Sequence, residues 1–247
     1  MPPGEWPIVV DAYMRRTVNF AVFYDGGEDS ETKRGQDVFI AVAHGCLIGP
    51  GEVLTCTEAL RFAQDVATAK RGRVVILIGF EEWQFDVETG SELCGLVTCR
   101  LIQRNEDRFA EFKEKIREAG LEAFYIEPLQ TPITATVSPW IGQEIAFIHA
   151  GEVKDAWRFF GTTRLQFDTS VISHFRKPNE GTLKSFVSGV VAGRVLKAGS
   201  AVFTRSGILV GVISDVESFE SDAGRRIIVK SLLGHRSFLG EVQRNKT

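Results

Sequence analysis

No apolar run in this sequence reaches the ~18 residues that a membrane-crossing helix needs, so no helical span is expected. The first residues, Met1-Pro2-Pro3-Gly4-Glu5-Trp6, lack both a basic stretch and an apolar stretch after it, and so do not read as a secretion signal. There is no excess of basic charge: 29 Lys and Arg stand against 32 Asp and Glu, mixed along the chain. A nucleic-acid footprint needs a concentrated basic face, so neither nucleic acid nor a membrane surface is expected as a partner. Only four cysteines occur, Cys46, Cys56, Cys94 and Cys99, all in the first half and never at Cys-x-x-Cys spacing. Without a secretion signal they read as reduced, buried thiols of a cytoplasmic protein. A Cys94–Cys99 metal pair has no histidine near it in sequence, and His149, His174 and His235 are scattered. The expectation is no metal and no cofactor.

What the chain does have is many short apolar segments separated by turns. Val18–Tyr24, within residues 7–25, is rich in β-branched and aromatic residues, and residues 7–25 are expected to hold one or two strands. Strands are also expected over residues 37–46, 73–80, 83–87, 96–102 and 121–126. A second set follows at 144–148, 163–167, 186–191, 200–203, 208–213 and 226–229. Residues 26–36 are polar and loop-like. Residues 105–119 differ, because Phe109, Phe112 and Ile116 recur at helical spacing among charges and Gly120 follows as a stop. This is expected to be one amphipathic helix inserted in a β protein. Pro128, Pro132 and Pro139 mark residues 127–140 as a linker, and residues 231–242 are expected to close the chain as a C-terminal helix. The division is therefore an N-terminal β-barrel over 1–130, with the helical insertion, and a C-terminal barrel and terminal helix over 131–247. All-β architecture with turns at this frequency suggests barrels or sandwiches.

The most informative stretch is Ala43-His44-Gly45-Cys46-Leu47-Ile48-Gly49-Pro50-Gly51-Glu52-Val53-Leu54-Thr55-Cys56-Thr57-Glu58. It reads as a hairpin with a Gly-Pro-Gly turn, then a sharp exit. It resembles the catalytic-histidine hairpin of chymotrypsin-like serine proteases of the HtrA-like branch, where Gly-Ser-Gly-Phe-Val-Ile, a turn and Val-Leu-Thr-Ala-Ala-His stand. The resemblance implies two six-stranded antiparallel β-barrels. It also implies a Ser-His-Asp triad and backbone amides that form an oxyanion hole.

Each of these positions departs from the family pattern. Glu58 stands where the histidine belongs, and a carboxylate with an ordinary pKa of about 4.3 is a poor base for a serine hydroxyl. The acid falls on Leu121 or, one residue over, on Glu122. The stretch Leu196-Lys197-Ala198-Gly199-Ser200-Ala201-Val202-Phe203, before Gly207 and Gly211, matches Gly-Asp-Ser-Gly-Gly-Pro-Leu-Phe. That match puts Ala198 at the nucleophile and Leu196 at the glycine that supplies an oxyanion-hole amide. The resemblance thus implies a catalytically inactive homologue, a pseudoprotease, acting as a protein-binding or scaffold module that holds a protein or peptide partner. The alternative is an atypical hydrolase in which Ser200 is the nucleophile and a displaced His44 the base. Hydrogen-bond contact between those two side chains would separate the readings.

Overall fold

In a computed structural model the described residues are 6–25, 37–77, 84–93, 95–103, 106–120, 122, 133, 139–150, 165–175, 185–191, 198–218 and 225–232. The first six strands are β1 (Thr17–Asp25), β2 (Asp37–Gly49), β3 (Glu52–Cys56), β4 (Arg73–Leu77), β5 (Gln84–Leu93) and β6 (Leu96–Ile102). All are paired antiparallel, and the order β1-β2-β3-β6-β5-β4 returns to β1 to close a barrel. The second six are β7 (Glu144–Ala150), β8 (Leu165–Phe175), β9 (Ser185–Val191), β10 (Ala201–Thr204), β11 (Leu209–Ser218) and β12 (Arg225–Ser231). They form a second antiparallel sheet, curled so that Val202 of β10 lies opposite Phe147 of β7.

The hairpin at the centre of the sequence forms as read. Cys46 faces Leu54 and Leu47 faces Val53 across it, and Gly51 turns the corner at φ +66°. Its residues 43–49 and 53–56 are buried, with β6 paired to β3 and β1 paired to β2. The largest buried cluster runs through both sheets, from Val18, Phe20 and Leu47 to Ala146, Ile148, Ala201, Phe203 and Leu209. The two sheets therefore share one apolar interface, which fixes the strand ends that meet across it.

Among the described residues three helices accompany the strands. The inserted helix is present as α3 (Glu106–Glu118), with Ile116 buried and most of its other described residues exposed. The exit from β3 is a helix that periodicity did not single out, α2 (Thr57–Ala69), which buries Ala59, Leu60, Ala63 and Ala67 on one face. The expectation of strand over residues 7–25 is corrected in its first half. Residues Trp6–Met14 form α1, and the first strand starts only at Thr17. The β-branched Val9 and Val10 are poor helix formers. They lie with Tyr13 at helical spacing, all three are buried, and packing overrides propensity. Pro7 is tolerated because it sits in the first turn, where its missing N–H has no intrahelical partner to lose.

Of the expected strand 121–126, only Glu122 is described. It is exposed with helical backbone, and Arg117 Nε pairs with it at 3.4 Å, so strand is wrong at that position. Leu121 lies outside the described residues. The expected C-terminal helix fails at its first residue, since Ser231 ends β12, and its remainder from residue 233 lies outside the described residues.

Candidate functional site

Two glycine-dependent segments meet where the sheets touch: the start of β10 with its preceding turn, and the middle of β2. The His44 backbone N–H donates to the Ala198 carbonyl at 2.9 Å. The Gly199 N–H donates to Ile213 O at 2.7 Å, and Ile213 N–H donates back to Ser200 O at 2.8 Å, tying the turn to β11. Gly199 has φ +89°, and a Cβ there would overlap the His44 carbonyl oxygen. Only glycine combines that backbone conformation with so close an approach. The same carbonyl accepts the Thr55 hydroxyl at 2.9 Å from β3.

The side chains follow from this backbone docking. Ser200 Oγ and His44 Nδ1 lie 3.0 Å apart, and both residues have no solvent-exposed surface. For Ser200 to donate, His44 must carry its proton on Nε2; in the other tautomer Nδ1–H donates to the hydroxyl. Asn19 of β1 is the direct cross-strand neighbour of His44. Next to this pair, the Cys56 thiol contacts Ile213 O at 3.5 Å, and burial pushes that thiol up to about 12.

Glu58 sits in the first turn of α2, where the positive end of the helix dipole favours a carboxylate. Its Oε1 pairs with Lys230 Nζ of β12 at 3.0 Å, a contact from the first sheet to the second. The Glu58 side chain is 47% exposed, so this pair is worth well under about 1 kcal/mol and serves more to orient than to stabilise. Beside it the Thr57 N–H donates to Gly95 O at 2.9 Å and its hydroxyl donates to Glu92 at 2.9 Å. Gly95 leaves the space that the Lys230 ammonium occupies, since a Cβ there would come within 2.8 Å of Nζ.

The structure thus brings His44 together with Ser200 and Ala198, and links Glu58 to the second sheet through Lys230. Leu121 and Leu196 lie outside the described residues. Sequence reasoning missed three residues that build the site. Thr55 and Gly199 stood inside the matched motifs, where a positive φ next to a hydroxyl strand was the available signal. Lys230 gave no signal, because its role depends on a partner 172 positions away. Among the described residues no group of three His, Cys, Asp or Glu side chains is placed to hold a metal ion.

With this arrangement in view, the chain was compared with known proteins. No family model matches it, and no curated protein matches its sequence. Solved structures do match. The active form of the Rv3671c protease from M. tuberculosis aligns over 93% of this chain and 83% of its own, at 10% identity and TM-score 0.53. The inactive form of a serine-to-alanine mutant of the same protein, from M. tuberculosis H37Rv, aligns over 99% and 96%, at 10% identity and TM-score 0.52. A point variant of the HtrA-type protease AlgW, with a decapeptide, aligns over 98% and 68%, at 11% identity and TM-score 0.55. The fold is that of the HtrA-type serine proteases. At such identities the likeness extends to the fold and to nothing finer.

Proposed function

We propose that the chain is a catalytically inactive homologue of trypsin-like serine proteases that works as a protein-binding module. The observation that carries this reading is the use made of the nucleophile position. Ala198 stands there, its carbonyl is spent on the His44 N–H, and the neighbouring Ser200 hydroxyl is spent on the His44 ring in full burial. A nucleophile must reach a substrate carbonyl, and a hydroxyl with no exposed surface does not. Glu58, in place of a histidine, is paired to Lys230 of the second sheet. The binding role draws on Trp140 and Ile141, each 61% exposed, beside Val171 at 43% on β8. Large apolar side chains held out in this way are typical of protein contact surfaces. The free, buried thiols Cys46, Cys56 and Cys99 fit a reducing, cytoplasmic setting.

The contact expected to separate the two readings is present, and taken alone it favours the second, an atypical hydrolase: Ser200 Oγ lies 3.0 Å from His44 Nδ1, as a serine nucleophile lies to its base, and it is the full burial of both residues that stands against that reading. A fluorophosphonate probe separates the two. The module reading expects no adduct on the native protein, and a stoichiometric adduct mapped to Ser200 overturns it in favour of the hydrolase. The binding role is tested by affinity capture with the intact chain and with Trp140→Ala. Partners that bind both equally rule out this surface as the contact.

A further inference from the structure

Helix α1 precedes the first barrel in the chain, yet its aromatic residues dock on the second sheet. The Tyr13 ring stacks on Phe203 of β10 with centroids 3.8 Å apart and planes 4° from parallel, and Trp6 meets the same ring edge-on at 6.5 Å. The Tyr13 hydroxyl donates to Gly207 O at 3.3 Å in the β10–β11 turn. At its other end the helix is fastened to the first barrel. Thr17 Oγ1 donates to Tyr13 O at 2.9 Å, Leu47 N–H donates to Arg16 O at 2.8 Å, and Arg16 donates back to Leu47 O at 3.2 Å. Strands β2 and β10 are therefore held together twice: by α1 at Leu47 and Phe203, and by the His44–Ser200 seam three residues earlier on each strand.

We propose that α1 is a strap that controls opening of the buried seam: while it is docked the seam stays sealed, and its release lets β2 and β10 part as one unit and bares Ser200 and His44. The physical basis is that short elements with few tethers open cooperatively with the elements they clamp. Two thiols report the two ends. Cys46, adjacent to Leu47 and paired with Thr17 of β1, is fully buried. Cys56 is buried at the seam, against Ile213 O. Cys99 of β6 faces Val53, which in turn faces Leu47; it is buried within the first barrel, two strands from the strap's anchor, and reports opening of that barrel as a whole.

The experiment is native-state labelling of the full chain with a small thiol reagent, mapped site by site by mass spectrometry. In Tyr13→Ala, which deletes the stack and the hydroxyl contact, the rates at Cys46 and Cys56 are expected to rise together by about tenfold or more, with Cys99 changed less than about threefold. Tyr13→Phe keeps the stack, is the safer variant for folding, and is expected to show the same ranking with a smaller rise. A rise at Cys46 alone would overturn the proposal, because the strap would then open without the seam. Equal rises at all three thiols would also overturn it, because α1 would then be one more part of the global core. No change at any thiol would show that the stack clamps nothing.

Discussion

Gly199→Ala is the substitution that most directly tests how the two sheets are joined. The backbone there has φ +89°, where an L-residue costs about 1–2 kcal/mol from its own Cβ. Position matters as much as conformation. The new methyl would strike the His44 carbonyl oxygen and come within 2.5 Å of Thr55 Oγ1. That oxygen has little room to retreat, since it accepts the Thr55 hydroxyl and belongs to a strand paired on both sides. Overpacking of this kind costs about 1–3 kcal/mol. Relief by separation sacrifices the His44 N–H to Ala198 bond and the His44–Ser200 bond, at about 1 kcal/mol each. The expected loss is about 4 kcal/mol, a large share of the ~5–15 kcal/mol by which domains are stable.

The matched control is Gly51→Ala. Its φ is +66°, also left-handed, but nothing lies within 4 Å of the new methyl. It should cost only the conformational part, about 1 kcal/mol. Urea unfolding followed by tryptophan fluorescence measures both. With an m-value of about 3 kcal/mol/M, the two variants should differ in midpoint by about 1 M. If they agree to within about 0.5 kcal/mol, the close approach of Gly199 to β2 is not a constraint, and the account of the seam is wrong.

Further outcomes follow from the same geometry. Burial pushes the thiols of Cys46, Cys56 and Cys99 from 9.0 up to about 12, so the folded chain keeps protons there that the unfolded chain releases. Their contribution is fully present below about pH 9 and is lost as pH rises toward 12, at about 1.4 kcal/mol per thiol per pH unit. Urea midpoints measured between pH 8 and pH 10.5 should fall steeply, and a flat profile would show that the thiols are hydrated in the folded state. Glu58→Gln should change stability by less than about 1 kcal/mol in thermal unfolding, because its ion pair is half exposed. The combined reversion Glu58→His, Leu121→Asp and Ala198→Ser should not restore peptide hydrolysis, and adding Leu196→Gly should raise whatever rate is seen, since an oxyanion-hole donor is worth about 10²–10³. Turnover of a casein substrate near 1 s⁻¹ by the triple variant alone would refute the part assigned to Leu196.

The β architecture was legible because its signals are local. Apolar runs marked each of the twelve strands among the described residues, although β5, β8 and β11 run about five to eight residues past their expected ends. The inserted helix α3 was legible because Phe109, Phe112 and Ile116 stand apart among charges. The helices that were missed have weaker local contrast. In α1 the run Ile8-Val9-Val10 favours strand, and the helix exists because Tyr13 and Trp6 have Phe203 to pack on, a partner about 190 positions away. In α2 the buried face is mostly alanine, whose burial contributes little to a periodicity reading. The site divides in the same way. Ala198 and Glu58 were picked out because each sits in a motif that could be counted. The pairing of His44 with Ser200 was named as the alternative reading and is present, but which of the two readings it serves depends on how two sheets dock and not on any spacing within the chain.

On the proposed reading, that docking ties the matched positions to one another. A working cleft needs the nucleophile turn to face an open space on the histidine side. Here the turn instead leans on β2: Ala198 O takes the His44 N–H, Gly199 packs on the His44 carbonyl, and Ser200 takes the His44 ring. On the proposed reading a histidine at position 58 would have no serine at 198 to deprotonate, and the carboxylate there has a different contact. It neutralises Lys230, which would otherwise bring an uncompensated cation to the positive end of α2. The carboxylate, the lysine and the glycine at 95 that makes room for it are therefore one joint between the sheets, and the glycine at 199 on the His44 carbonyl is a second. Restoring catalytic residues singly would leave the rest of that joint in place, holding the turn against β2.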